Sequence, residues 1–369
     1  MNRTGSMKSD EHLQKMINPE IDAIIRTFRI ESVSSYRLEN QLFTVPTPSE
    51  LPNSNVNDFL HFIRSYISSI LYQKYHCRIS EIGQFTNSVI SAHYNNQDFI
   101  ESLSGANTGI GSWEFGWQVL KIEKNGQLAV QKDGLTLWAY PQQFRSTSGP
   151  DIVGRKGYLG MPKELRHLLP GFYMAYGNAP LNDEPITVRL YWNIEMKGAT
   201  TLLETITTQL NNENLPFKFK VLNNQNSFLR ADAAVLYINK KYLEKAAVSL
   251  SRIYKTIQPF LKTPTPLFAK TIAPGVALAE DPDNGESFGQ HRSRILAEAL
   301  TAHLVSLNDS SSGHDHKEIT ELLIEMEDQT FTTKKISEYF DQAGINICEM
   351  YLNRGSSDDY DLILKGVFE

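Results

Sequence analysis

Apolar residues recur at intervals of three and four along the first hundred positions. Phe59, Phe62, Ile63, Tyr66, Ile67 and Ile70 show the spacing that turns one face of a helix toward a core. Residues 11 to about 106 are therefore expected to be mainly helical. The period then changes. Glycines at 105, 109, 111 and 116 mark turns, and β-prone runs follow at 117–123, 128–130 and 135–140. The dipeptides Asn125-Gly126 and Asp133-Gly134 separate these runs and close tight hairpins, so they predict a three-stranded meander. Residues 146–155, with Gly149-Pro150 among them, read as a linker or domain edge.

Beyond that point strict alternation takes over. Ile186, Val188, Leu190, Trp192 and Ile194 point to one face of a strand, and Thr187, Arg189, Tyr191 and Asn193 point to the other, leaving the second face available. An amphipathic helix over 201–211 leads to a strand at 217–221, where Phe217, Phe219 and Val221 face in and Lys218 and Lys220 face away. A third strand is expected at 233–238. A helix over 241–260 carries Leu243, Ala246, Ala247, Leu250, Ile253, Tyr254 and Ile257 on one stripe. Another helix runs from about 291 to 307, followed by a Ser-rich loop at 308–313 and a charged surface helix at 317–328. The expected architecture is α+β. Residues 1–150 form a mainly helical part ending in a β-meander, placed where it could bind a peptide or leader, and residues 151–369 form a mixed or antiparallel sheet with packed helices.

Composition narrows the partners. A net charge of −6 over 369 residues gives no global basic field for a nucleic acid backbone, so any anion site must be local. Cys77 and Cys348 are too few for a disulfide scaffold and lack zinc or redox spacing. No apolar run approaches the ~20 residues a membrane helix needs, and the first ten residues are polar. A cytoplasmic protein without nucleic acid or membrane partners is expected.

Two places could concentrate positive charge. If the strands at 186–194 and 217–221 lie in one sheet, Arg189, Tyr191, Lys218 and Lys220 share its polar face, although an ordinary solvated face alternates in the same way. The second is Glu286 to Arg292, at a helix start. Helical spacing puts Arg292 on the apolar side with Ile295, Leu296, Ala299 and His303, whereas Arg294 pairs outside with Glu298. An inward arginine needs an anionic partner, either Glu286 or Glu280, or a phosphate helped by the amides of the helix N-terminus. Other motifs fail. The glycines of 105–116 lack the Gly-Lys-Ser/Thr of a phosphate loop, and Asp281, Asp283 and Gly285 would have Arg292 where a calcium loop needs a glutamate. His314 and His316 have no third ligand at helical spacing, and no metal is expected.

Gly134-Leu-Thr-Leu-Trp138, Leu215-Pro-Phe-Lys-Phe-Lys-Val-Leu-Asn223, Arg230-Ala-Asp-Ala-Ala-Val-Leu-Tyr237, the segment from Gly275 to Arg292 and the ending Tyr351-Leu-Asn-Arg-Gly-Ser-Ser-Asp-Asp-Tyr-Asp361 resemble the HopA-type effector family. The resemblance spans about residue 105 to the end. Members include plant-pathogen effectors and the lyases of lanthipeptide and thioamitide clusters, which act after a separate kinase has phosphorylated Ser or Thr. It implies elimination of phosphate from a phosphorylated precursor peptide or protein, giving dehydroalanine or dehydrobutyrine. A further likeness, over roughly 188–291, is to the bacterial phosphothreonine lyase effectors. In these a lysine between an aromatic residue and valine is the base, which matches Lys220. A phosphate-contacting tyrosine matches Tyr237, and an arginine shortly before it resembles Arg230. Where those enzymes hold a histidine acid this chain has Tyr191, so Tyr191 and His291 are both candidates.

The chemistry suits these residue types. A lysine can take an α-proton only as the neutral amine, which burial or neighbouring cations such as Lys218 and Arg189 favour. Arginine forks at 189, 230 and 292 would hold a leaving phosphate as its charge grows, and a tyrosine or protonated histidine would protonate the leaving oxygen. The scheme needs no metal or organic cofactor. The competing expectations are a non-catalytic effector that docks on a partner protein and a module that binds phosphopeptide without turnover.

Overall fold

The computed structural model describes residues 15–32, 35–45, 56–80, 96–149, 153–181, 185–282, 284–302 and 333–369. Two compact units each gather separate pieces of chain. Unit 1 takes 1–82, 266–270 and 279–358, and unit 2 takes 83–265, 271–278 and 359–369. The two units therefore do not meet at residue 150, where the sequence suggested a boundary.

Unit 1 begins with α1 (Pro19–Thr27). Asn18 caps it by accepting a hydrogen bond from the Glu20 amide at 2.9 Å, and Ile21, Ile24 and Ile25 form its buried stripe. A small antiparallel sheet follows, β1 (Arg29–Ser32), β2 (Ser35–Leu38) and β3 (Gln41–Thr44), inside the stretch expected to be helical. Its strands are four residues long and bury Tyr36, Leu38 and Phe43. That is too short for a period of two to stand out against helical neighbours. The predicted stripe of Ile63, Ile67 and Ile70 is buried on α2 (Val56–Leu71), which ends in a single π-helical turn at Tyr72–His76.

Unit 2 opens with α3 (Gln97–Ala106). The expected meander follows as β4 (Ser112–Ile122), β5 (Leu128–Lys132) and β6 (Leu135–Ala139). It is part of a five-stranded sheet in the order β6-β5-β4-β8-β7, completed by β7 (Phe144–Ser146) and β8 (Lys156–Met161). β7 and β8 pair antiparallel and the Thr147 amide bonds to the Lys156 carbonyl, so the expected linker at 146–155 falls between two paired strands. Ser, Gly and Pro serve a turn as readily as a linker. In β4 the register shifts between Phe115 and Trp117, where Gly116 has φ +104°. The extra residue there turns Trp117 and Val119 into the core with Leu128, Val130, Phe144 and Leu159.

The chain continues through β9 (Glu164–Leu169), β10 (Phe172–Tyr176), β11 (Thr187–Trp192), α4 (Ala199–Asn212), β12 (Phe217–Leu222), β13 (Ala234–Asn239), α5 (Leu243–Ile257), β14 (Lys270–Ala273) and β15 (Val276–Glu280). These strands form one seven-stranded sheet in the order β14-β15-β11-β13-β12-β10-β9. β13 is antiparallel to both β11 and β12, so those two run parallel and α4 is the crossover that parallel strands require. On one face Val188, Leu190, Trp192, Phe217, Phe219, Leu236 and Ile238 are buried. Phe368 lies 6.3 Å from the Trp192 ring and 5.5 Å from Tyr254 of α5, which places that helix on this apolar face. Truncating a stripe residue such as Leu250 to Ala would cost about 2–5 kcal/mol. The opposite face holds the polar residues.

Unit 1 resumes with α6 (Phe288–Leu300), three residues ahead of its expected start, where the Ser287 hydroxyl caps the Gln290 amide at 3.3 Å. It then continues with α7 (Thr333–Gln342). α6 ends at Leu300 with Thr301 as its C-cap, short of the expected 307, because Thr301 leaves the helical conformation. The expectations for the 308–313 loop, the 317–328 helix, His303, His314 and His316 lie outside the described residues. Among the described residues no helix is long and apolar enough to cross a membrane, and no three His, Cys, Asp or Glu side chains gather as metal ligands would.

Candidate functional site

Strand register builds two transverse rows on the polar face of the seven-stranded sheet. In one, Arg189 faces Tyr237, Tyr237 faces Lys218 and Lys218 faces Tyr176. In the next, Tyr191 faces Val235, Val235 faces Lys220 and Lys220 faces Met174. Opposed residues project to the same side, so Arg189, Tyr191, Lys218, Lys220 and Tyr237 share a face. β13 intervenes between β11 and β12, which sets Arg189 and Lys218 two strand spacings apart, about 9.6 Å. The Tyr237 ring fills that interval. Its centroid lies 5.2 Å from the Arg189 guanidinium carbon, 5.7 Å from Lys218 Nζ and 5.8 Å from Lys220 Nζ. Phe172 forms a second aromatic platform, 4.5 Å from Lys220 Nζ and 5.7 Å from the Arg230 guanidinium carbon. Ring faces carry the negative lobe of the aromatic quadrupole, so two rings help hold four basic side chains close together.

This face is not the open, solvated one that alternation suggested. Arg189 is 7% exposed and Tyr191 2% exposed, while Lys218, Lys220, Arg230 and Tyr237 are half-buried. Asp232, 3% exposed, accepts two hydrogen bonds from Arg230, at 2.7 Å from Nε and 2.6 Å from Nη2. That fork fixes the guanidinium plane at the end of the loop before β13. Burial pushes the Tyr191 phenol well above its ordinary pKa, against the lowering influence of nearby Arg189. Tyr191 therefore keeps its proton at neutral pH. The arrangement gathers several basic side chains on one face, with a protonated, buried phenol beside them, a set able to hold a compact dianion.

His291 and Arg292 belong to unit 1 and have other occupations. Arg292 is fully buried on α6, as its helical phase predicted, but its Nε donates to the Met350 carbonyl at 2.7 Å and its Nη2 to the Leu352 carbonyl at 2.9 Å and Asn353 Oδ1 at 3.1 Å. Its fork ties the 350–353 segment to the helix and is not presented to a phosphate. Glu286, one proposed partner of Arg292, instead binds Arg294 at 2.9 and 3.0 Å, and Arg294 also reaches Glu298 at 2.9 Å as expected. Glu280 is buried and accepts from the Asn353 amide at 2.8 Å. Burial, reinforced by Arg292 and Arg294, pulls the His291 imidazole down to about 4. A histidine held neutral at pH 7 is poorly suited to act as a general acid.

Sequence reading missed Asp232 and Phe172. A signal for Asp232 was present, since it stands two residues after Arg230 just before a buried strand. Phe172 belongs to β10, whose run Phe-Tyr-Met-Ala-Tyr does not alternate between apolar and polar residues.

Residues 164–352, just over half of the chain, match the family described as the HopA1 effector protein family, and the match takes in every strand of the cationic face. Two solved structures are similar. One, the effector protein from Pseudomonas syringae pv. tomato strain DC3000, has 16% sequence identity and a TM-score of 0.42, covering 83% of this chain and 92% of that one. The other, the effector protein from Pseudomonas syringae pv. syringae strain 61, has 15% identity and a TM-score of 0.41, covering 82% and 92%. No curated protein matches. On the extent of the family match, which begins at the first residue of β9 and runs through Leu352, the chain belongs to the HopA1 effector protein family.

Proposed function

We propose that the cationic face of the seven-stranded sheet eliminates phosphate from phosphoserine or phosphothreonine in a peptide or protein. The observation that carries this is the packing of Lys220 with Arg189, Lys218 and Arg230 around Tyr237 and Phe172 on one buried face. The likeness to phosphothreonine lyases assigns the base to the same lysine.

In the proposed step Lys220 Nζ takes the α-proton, the C–H electron pair becomes the Cα=Cβ double bond, and the Cβ–O bond breaks. Tyr191 gives its proton to the departing oxygen. The products are dehydroalanine or dehydrobutyrine and hydrogen phosphate. Arg189, Lys218 and Arg230 bind the phosphate and stabilise the charge that collects on it as the bond breaks, interactions that strengthen toward the transition state. The family resemblance extends the reading to lanthipeptide-type maturation, with a separate kinase supplying the phosphorylated precursor.

Mass spectrometry of a phosphothreonine peptide incubated with the protein tests this. Elimination lowers the peptide mass by about 98 Da, whereas phosphatase action lowers it by about 80 Da because water is added back, a difference fixed by covalent composition. An unchanged mass with retained binding would make the protein a phosphopeptide-binding module, and neither binding nor mass loss would leave docking on a partner protein.

A further inference from the structure

Unit 2 contains an apolar cavity of about 400 Å³ that the elimination chemistry does not use. The five-stranded sheet lines one side with Leu137, Leu159 and Met161, and β9, β10 and β12 line the other with Leu165, Tyr176 and Phe217. Folded interiors leave few voids larger than a water molecule, and this volume falls in the range of ligand clefts, about 300–1,000 Å³. Trp138 stands at its lip, 61% exposed. Glu114, the acidic residue in its wall, is already engaged by Lys132 Nζ at 2.6 Å and Trp117 Nε1 at 3.2 Å. The cavity is thus suited to an aliphatic or aromatic group and poorly suited to a charged one.

Its position specifies the molecule that would bring that group. Tyr176 ends the row Arg189, Tyr237, Lys218, Tyr176, so the cavity wall begins one strand, about 4.8 Å, from Lys218. The neighbouring face is complementary in charge to a phosphate. We infer that the cavity is a specificity subsite for a single apolar side chain of the phosphopeptide, located two to four residues from the phosphorylated one. From Lys220 to Tyr176 is one strand across and two residues along, roughly 8 Å, and an extended peptide advances about 3.3 Å per residue. This rests on the proposed use of the cationic face as the phosphate site. It deepens that proposal by naming a substrate feature.

The test uses a set of phosphothreonine peptides in which one leucine is moved through each position of an otherwise apolar-free sequence. Elimination is followed by mass and binding by fluorescence anisotropy, with wild-type protein, the Ala179→Phe variant that fills the cavity from its wall, and the cavity-enlarging Leu137→Ala variant. Leucine at one favoured position should raise kcat/KM by about 10- to 200-fold, the range one apolar contact provides. Ala179→Phe should erase that preference while processing the leucine-free peptide at the wild-type rate, and Leu137→Ala should shift the preference toward phenylalanine. A response that is flat across positions, or a preference that survives both changes, overturns the subsite while leaving elimination intact. If no peptide loses mass, the elimination proposal fails separately. Position-dependent binding that Ala179→Phe removes would then still uphold the subsite, and flat binding would overturn it too.

Discussion

Arg189 and Arg292 are both arginines withdrawn from solvent, on a strand and a helix respectively, and in the sequence both look like phosphate ligands. Their surroundings separate them. Arg292 meets the carbonyl oxygens of Met350 and Leu352 and the amide oxygen of Asn353, bonds that anchor a loop. Arg189 meets the Tyr237 ring, beside Tyr191, on a face shared with Lys218 and Lys220, with Arg230 over the neighbouring Phe172 ring. A buried charge whose donors are tied to the chain's own oxygens is a structural device. Gathering several like charges opposes folding, and an anionic ligand removes that opposition. Burial alone does not mark a functional arginine; the sign and number of its neighbours do.

The largest contrast comes from removing each charge. Arg292→Met should lower unfolding free energy by about 3–5 kcal/mol, since it strands buried acceptors as well as losing packing. Arg189→Met should have a smaller effect on urea unfolding and should slow elimination by about 10²- to 10³-fold, the range for one transition-state donor. Equal destabilisation by the two would erase the distinction. pH sharpens it next. His291 is held neutral in the fold, with its pKa lowered from 6.5 to about 4. Below pH 6.5 the unfolded chain binds a proton that the folded chain refuses, so this residue makes stability fall as pH drops from about 6.5 to about 4, and then level off. His291→Gln should remove that component from denaturation curves collected across the window. A component unchanged in the variant would place its origin elsewhere. Arg294→Ala should change least, by under about 1 kcal/mol in the same unfolding assay, because its partners Glu286 and Glu298 are ordinary surface pairs.

The cationic face was legible because a strand's period is two. Once 187–192 and 217–222 are strands of one sheet, Arg189, Tyr191, Lys218 and Lys220 must share a side. What alternation could not convey was strand order. The placement of β13 between β11 and β12 puts Tyr237 at the centre of the cations, and that is a long-range property of the sheet. The depth of burial was equally hidden, since alternation looks the same whether a polar face is covered or wet. β9 and β10 escaped notice because Glu164–Leu169 and Phe172–Tyr176 lack clean alternation, and with them went Phe172 and the wall of the apolar cavity. The boundary at 150 failed because a Gly-Pro stretch has the same composition whether it joins two domains or falls between two paired strands. Arg292 was placed correctly on the inward side of its helix. Its bonds to the Met350 and Leu352 carbonyls reach some sixty residues along the chain, and carbonyls leave no signature in a sequence.

The most direct test is to follow a phosphothreonine peptide by mass, and its binding by anisotropy, with wild-type protein and with Lys220→Ala. The account predicts a loss of about 98 Da with wild type, a rate at least about 10²-fold lower without the lysine, and phosphopeptide binding retained through Arg189, Lys218 and Arg230. Elimination at the wild-type rate by Lys220→Ala would contradict it.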